Sequence, residues 1–235
     1  MKNLFYVFLV VSLASCSKVK PKGEIATKDI TVQDFNKLDV NGKFKVFYVQ
    51  NPKNMVSVET YPNVFDNLKI EVKDKTLYIS EKSKTEGVDM YNITLYSKNN
   101  LESIAMADST DITISSQMSV PAFKLKIKDN AKFMGSVLAN KADITMTNKA
   151  KANLLGRTLD ANIAISDTAS IISPYWYINN LNITSKNGNY SEFSVDDELN
   201  GSIGNTSELV YYGNPQKKIK VQDKAKLEQK QKQKP

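Results

Sequence analysis

The sequence predicts an all-β protein: a single-stranded parallel β-helix, or β-solenoid, with rungs of about 19 residues and an N-terminal β cap. Three observations predict it. The first is a column of small residues, each following an Asx-type turn: Thr110, Ala131, Ala150, Ala169, Gly188 and Ser207, spaced by 21, 19, 19, 19 and 19 residues. Apolar columns accompany it. Ile127, Met146, Ile165 and Ile203 lie four residues before the small residue, Leu125, Ile144 and Ile163 six before, and Phe133, Ile171, Tyr190 and Leu209 two after. The second is alternation of apolar and polar residues with period two around each turn, the mark of short strands with one inward face. No stretch between 30 and 216 sustains a 3.6-residue period. The third is the turn chemistry. The chain has 23 Asn but only 9 Gly, and Asn and Asp tolerate the left-handed conformation that tight corners demand. Stacked in parallel, equivalent strands would form ladders with about 4.8 Å rise per rung. One rung is out of phase: Leu181 and Ile183 are apolar where the period expects Asn182 and Thr184 to be, which predicts a bulge or one extra residue there.

Taken in chain order, residues 1–15 read as a lipoprotein signal peptide. A short basic start precedes an apolar run over 4–13, too short to span a bilayer as a helix. The run ends in Leu13-Ala14-Ser15-Cys16, which resembles a bacterial lipobox. That resemblance implies cleavage before Cys16 and acylation of its thiol. Several acyl chains suffice for stable anchoring. Residues 16–29 then read as the lipidated Cys and a flexible tether. Ser17 is not the Asp that retains many lipoproteins in the inner membrane, so the expected location is the outer membrane of a Gram-negative bacterium, facing periplasm or cell surface.

Residues 30–216 form the solenoid domain. In 30–105, candidate strands over 37–40, 43–49, 55–59, 68–72, 76–80 and 91–96 are divided by Asn41-Gly42, Asn51-Pro52, Asp74-Lys75 and Asn99-Asn100, all turn signals. Lys73-Asp74-Lys75-Thr76-Leu77 reads as a tight hairpin, and 83–87 as an exposed loop. This part is expected to cap the open edge of the rungs, which occupy 106–216. Residues 217–235 are Lys- and Gln-rich and read as a basic, disordered or weakly helical tail.

At this point a family resemblance emerges. Phe35-x-x-Leu38-x-Val40-x-Gly42-x-Phe44-x-Val46 is followed by Leu68-Lys69-Ile70-Glu71-Val72 and Asp74-Lys75-Thr76-Leu77-Tyr78-Ile79. The strand-turn repeats come next, and Leu209-Val210-Tyr211-Tyr212-Gly213-Asn214-Pro215 closes the domain. This resembles the bacterial family called putative auto-transporter adhesin, head GIN domain, over about 32–216. The resemblance implies a right-handed β-helix-like fold on secreted or lipid-anchored proteins, commonly without established activity. The family's Ser-Gly-Ala-Ser repeats stand here as Asp-Asn-Ala-Lys and Asp-Thr-Ala-Ser.

Composition bounds the chemistry. The chain has no His and one Cys, so no Ser-His-Asp or Cys-His centre, no His metal ligand and no intrachain disulfide can form. The net charge of +7 is unevenly spread: +4 in residues 1–22, +6 in 217–235 and −3 in between. The basic pI is therefore a property of the ends. Arg157 is the sole Arg, whereas phosphate and base recognition relies on Arg forks, and the export signal removes the chain from cytoplasmic DNA. No nucleic-acid partner is expected. The basic tail reads as a solubilising end, with contact to anionic head groups or acidic glycans as its sharper role.

The candidate sites are few. Asp196-Asp197-Glu198 is the densest acidic cluster and is the place to look for calcium or an acid/base pair. Neighbouring strand residues point to opposite faces, so the three read as a solvated loop instead. Asp108 and Asp111 read as caps for backbone N–H groups. Tyr175-Trp176-Tyr177 contains the sole Trp and is the candidate glycan contact, with packing at a corner between rungs as the plainer reading. Asp108-Ser109-Thr110 and Asp167-Thr168-Ala169 match an O-glycosylation pattern of exported bacterial proteins and put Ser109 and Thr168 forward as candidates, although the same triplets are the corner motif. No cofactor is expected. The expected function is a non-catalytic adhesion, binding or scaffold module with a glycan or another envelope component as ligand. The alternative is a polysaccharide lyase or glycoside hydrolase built on a β-helix. Oligomeric state is not legible in the sequence.

Overall fold

A computed structural model describes residues 18–231. They form a β-solenoid of about seven turns. The cap comprises β1 (Ala26–Thr31), β2 (Lys37–Gly42), β3 (Lys45–Gln50), β4 (Met55–Thr60), the one-turn helix α1 (Pro62–Phe65), β5 (Leu68–Lys73), β6 (Thr76–Glu81), β7 (Asn92–Ser97) and β8 (Ser103–Asp108). Five long strands follow, β9 (Asp111–Ile127), β10 (Lys132–Met146), β11 (Lys151–Ser166), β12 (Ser170–Lys186) and β13 (Tyr190–Ile203), each running around one rung. The chain closes with β14 (Glu208–Tyr212), β15 (Gln216–Val221) and β16 (Lys226–Gln229).

Each long strand bends once and serves two faces. On the front face, the first halves of β9 to β13 stack in parallel between β3 and β14–β16. On the back face, their second halves stack between β8 and β15. The cap extends both. β7, β4 and β1 continue the front, the last two antiparallel, while β2 and the β5–β6 hairpin continue the back. The hairpin turns at Asp74 and Lys75, both at positive φ, the geometry whose twist matches the flanking strands.

The inner positions stack like on like. Leu125, Ile144, Ile163, Ile183 and Gly201 form one ladder, and Ile127, Met146, Ile165, Ser185 and Ile203 the next. These Ile side chains are buried, each contributing about 1.5–3 kcal/mol. The corner column is equally regular. Asp108, Asp129, Asn148, Asp167, Asn187, Asn205 and Asp223 all adopt left-handed φ between 58° and 80°. Their side chains tie successive rungs: Asp129 accepts from Asp108 N at 3.2 Å, Asp167 from Asn148 N at 3.0 Å, and Asn148 Nδ2 donates to Asp129 at 2.8 Å. Capping thus acts between rungs, with Asp129 and Asp167 taking the backbone N–H of the preceding corner, while the Asp108 carboxylate accepts from Ser109 Oγ.

The out-of-phase rung has a specific cause. Ala152 pairs with Ile171, but Gly156 pairs with Trp176, so β12 carries one extra residue. Everything after it is one place late. The buried corner position is therefore Asn189, not Gly188, and the ladder position beyond it is Ser191, not Tyr190. Asn189 repays its burial with hydrogen bonds to Lys186 O (2.8 Å) and from Ser185 Oγ (2.7 Å). The spacing of 21 between the first two rungs comes likewise from a register shift in β9, which places Ser115 and Ser116 between paired residues.

Two terminal expectations need correction. Residues 217–229 are not a disordered or helical tail: β15 and β16 form a further rung in parallel with β13 and β14. Ile219, Ala225 and Leu227 pack partly buried against the core, and the lysines between them point outward. The described part of the expected tether is docked, not free. Val19 bridges Thr85, Lys18 pairs with Glu86 at 3.1 Å, and Asn63 accepts from Lys22 N. β1 begins at Ala26. Residues 1–15, Cys16 and Ser17 lie outside the described residues.

Candidate functional site

The two faces carry different outward columns. The back columns are Lys124–Asp143–Asn162–Asn182–Asn200–Lys218 and Lys126–Thr145–Ala164–Thr184–Ser202–Lys220. Asn162 Nδ2 donates to Asp143 at 2.9 Å and Asn182 Nδ2 to Asn162 at 3.4 Å, so the back face satisfies itself along the ladder. The front face exposes Phe47, Met134, Leu138, Leu155, Ile172 and Tyr175, the last 63% exposed. Leu159, at the turn between faces, adds to it.

Toward the C-terminal rungs the front face becomes aromatic and polar. Glu192 sits between two tyrosines: Tyr212 OH donates to it at 2.6 Å and Tyr190 OH at 3.1 Å. The hydrogen bond to the Glu192 carboxylate pushes the Tyr212 hydroxyl up to about 12. Burial, and then the same negative charge, push Tyr190 up to about 12 as well. Both rings are therefore held in place as neutral donors.

Beside this clamp runs one outward column, Ser119–Leu138–Arg157–Tyr177–Ser194–Tyr212. Ser194 is small and turned inward, its hydroxyl donating to Pro174 O at 2.7 Å. Tyr177 and Tyr212 are thus two rungs apart, about 9–10 Å between backbones at ladder spacing, with the buried Ser194 on the rung between them. A cavity of about 600 Å³ opens there, walled by Tyr177, Tyr212, Asp196, Asn214, Gln229 and Lys230. Gly213 makes the close approach possible. Its φ is +104°, and a Cβ there would lie 2.1 Å from Val195 O. Gln229 braces the far wall, donating to Gly213 O and Asn214 Oδ1 and accepting from Tyr211 OH at 3.2 Å.

The sequence-predicted candidates fall as follows. Tyr175 and Tyr177 lie on the front face, but Trp176 does not join them. It is fully buried, donates Nε1–H to Thr158 Oγ1 at 3.0 Å and meets Phe193 edge-on at 6.1 Å. The three consecutive aromatics alternate in and out, so the Trp is core and cannot touch a surface ligand. Tyr177 lies over the Arg157 guanidinium at 5.5 Å. Asp196, Asp197 and Glu198 sit within β13 and diverge to separate partners: Arg157 at 3.2 Å, Asn179 Nδ2 at 2.7 Å, and Asn200 Nδ2 at 2.9 Å. Among the described residues, no group of three or more acidic or other ligating side chains is placed to hold a metal ion, and no helix is long and apolar enough to cross a membrane. Ser109 and Thr168 are exposed on the corner column. Thr168 Oγ1 donates to Asn148 O at 3.2 Å and Ser109 Oγ to Asp108 at 3.3 Å.

Tyr212, Asn214, Gln229 and Glu192 were missed as site residues. The column joins positions 177, 194 and 212 at intervals of 17 and 18: the register shift between Ser173 and Tyr177 sets Tyr177 against Ser194, and Ser194 pairs with Tyr212 without one.

Fold and surface together define a class: a β-solenoid whose rungs present one face of hydrogen-bonded polar ladders and one face with exposed apolar and aromatic side chains. The chain belongs to the putative auto-transporter adhesin, head GIN domain family, whose model matches residues 34–215. The chain is similar in fold to a putative adhesin from Bacteroides fragilis, with 17% identity, a TM-score of 0.80, and 90% of this chain and 100% of that chain covered. A putative adhesin from Parabacteroides merdae superposes with a TM-score of 0.67 at 18% identity, covering 91% and 99%. A putative lipid binding protein from Parabacteroides distasonis does so with a TM-score of 0.68 at 18% identity, covering 91% and 100%. No curated protein matches the chain.

Proposed function

We propose that this chain is a non-catalytic adhesion module of the cell envelope, anchored in the outer membrane by lipid at Cys16, that engages its ligand through the front face. The observation that carries the reading is the concentration of exposed apolar and aromatic side chains on that face, against Tyr78 and Val221 on the back strands. Exposed apolar surface of this kind marks interaction sites, whereas the back face closes its polar groups on one another. The adhesin description of the family supports the reading. Divergence of Asp196, Asp197 and Glu198 to separate partners argues against a shared acid/base site there.

Protease shaving of intact cells, with membrane fractionation, tests the placement. The wild type should partition with membranes and be cleaved from outside, and Cys16→Ser should release it. Membrane association that survives Cys16→Ser would count against the lipid anchor. Beads coated with the Cys16→Ser protein should adhere to cultured bacterial cells. Turnover of a polysaccharide that Asp196→Asn or Asp197→Asn abolishes would replace adhesion with the lyase or hydrolase reading.

A further inference from the structure

We infer that the slot between Tyr177 and Tyr212 is a carbohydrate subsite that takes a pyranose unit of a neutral oligosaccharide. This inference rests on the adhesion reading and deepens it by assigning the ligand class and the residues.

The slot has the parts sugar recognition needs. The two tyrosines stand two rungs apart in one outward column, with Ser194 between them. The C–H faces of a pyranose are apolar and weakly positive, and aromatic faces are negative, so a sugar in the cavity has two tyrosine rings in its wall to pack against. The cavity of about 600 Å³ lies within the range of small-molecule sites, about 300–1,000 Å³. Its rim carries planar polar groups suited to vicinal hydroxyls. Asp196 has one carboxylate oxygen on Arg157 and a second that can accept from a hydroxyl. Asn214 has its Oδ1 occupied by Gln229, which leaves its amide N–H groups aimed away from that contact.

The charges argue for a neutral ligand. Arg157 is engaged by Asp196 and Asn179, each at 3.2 Å. Lys230 lies 3.8 Å from Glu228. An acidic glycan entering the slot would meet the Asp196 carboxylate, and the cations around it already have anionic neighbours.

The slot is also pre-organised. Glu192 holds Tyr212 by its hydroxyl, Arg157 lies against the Tyr177 ring, and Gln229 fixes Gly213 and Asn214. Little side-chain freedom remains to be lost on binding.

The test uses the full mature chain made soluble by Cys16→Ser. Cellohexaose, maltohexaose and mannohexaose are titrated by calorimetry, with hexagalacturonate as the acidic comparison and bead adherence to bacterial cells measured in parallel. At least one neutral hexasaccharide should bind. Tyr177→Ala and Asn214→Ala, both at exposed or half-exposed positions, should each weaken it by about tenfold or more while leaving thermal melting unchanged. Asn162→Ala on the back face should not change it. Preference for hexagalacturonate would overturn the inference, as would neutral binding indifferent to both front-face variants. Adherence to cells without binding of any neutral hexasaccharide would overturn the carbohydrate assignment and leave adhesion standing. Loss of adherence together with sugar binding in the wild type would overturn both.

Discussion

The front and back faces are made by the same five strands, yet they differ in regularity as well as chemistry. On the back, the second halves of β9 to β13 stay in register rung after rung, and like side chains stack. On the front, register breaks at Gly135/Ser136, between Ala152 and Gly156, and between Ser173 and Tyr177. The back is the repeat; the front is where the repeat is interrupted. Each interruption re-aims side chains, as bulges do beside binding sites elsewhere, and the Tyr177–Ser194–Tyr212 column exists because of the last of them. A solenoid thus separates two demands within one rung. One side supplies the regular ladder that holds the stack together, and the other spends residues on local shape.

This contrast can be broken from either side. The largest effect should come from Trp176→Ala, which empties the core beneath the front face. It should cost about 3–5 kcal/mol in urea unfolding and abolish binding at the slot. A variant as stable as wild type would mean that the Trp does not anchor the irregular half. Gly213→Ala comes next. The new methyl group collides with Val195 O at a φ that L-residues avoid, so stability should fall by about 1–3 kcal/mol, and ligand binding with it. On the back, Asn162→Asp replaces a donor to Asp143 with a like charge. It should cost about 1 kcal/mol, shrink with added salt, and leave front-face binding intact. Loss of binding in this variant would show that the faces are coupled.

The smallest effect is alkaline. Tyr190 and Tyr212 are pushed from 10.0 up to about 12 in the folded state. Groups raised by folding stabilise fully below their unfolded value and lose that contribution as pH climbs to the folded one. The melting temperature should therefore drop between pH 10 and 12, and the tyrosinate absorbance of these two rings should appear late. Glu192→Gln removes the charge and should draw both titrations back toward 10. Unchanged titration curves would deny that Glu192 organises the clamp.

Much of the fold was legible because it is written in backbone constraints. The left-handed corners demand Asn or Asp, and all seven such corners carry one. The Asp74-Lys75 hairpin was legible for a similar reason. Position Asn189 was not, because a one-residue insertion 14 to 17 places earlier, between Ile171 and Trp176, shifts the phase without leaving a mark at the corner itself. The last rung was misread because lysine content masks periodicity. Ile219, Ala225 and Leu227 occupy inward positions, yet a strand with one outward charged face has the same composition as a solvated segment. The candidate site was half legible. Tyr175 and Tyr177 announced an aromatic surface, but the partner ring on Tyr212 lies 35 residues onward and shares the slot only because a register shift sets Tyr177 against Ser194. Trp176 misled because three adjacent aromatics look like a platform until strand alternation divides them.

The rung formed by β15 and β16 pairs on one side only among the described residues, with β13 and β14. Its other side is a row of backbone donors and acceptors, which is a template for any passing strand. Lys217, Lys218, Lys220, Lys224, Lys226 and Lys230 stud that row. A second solenoid meeting this edge with its own β15–β16 edge would set lysine against lysine. Charged side chains, lysine above all, disfavour strand addition at an open edge, and this edge carries that pattern.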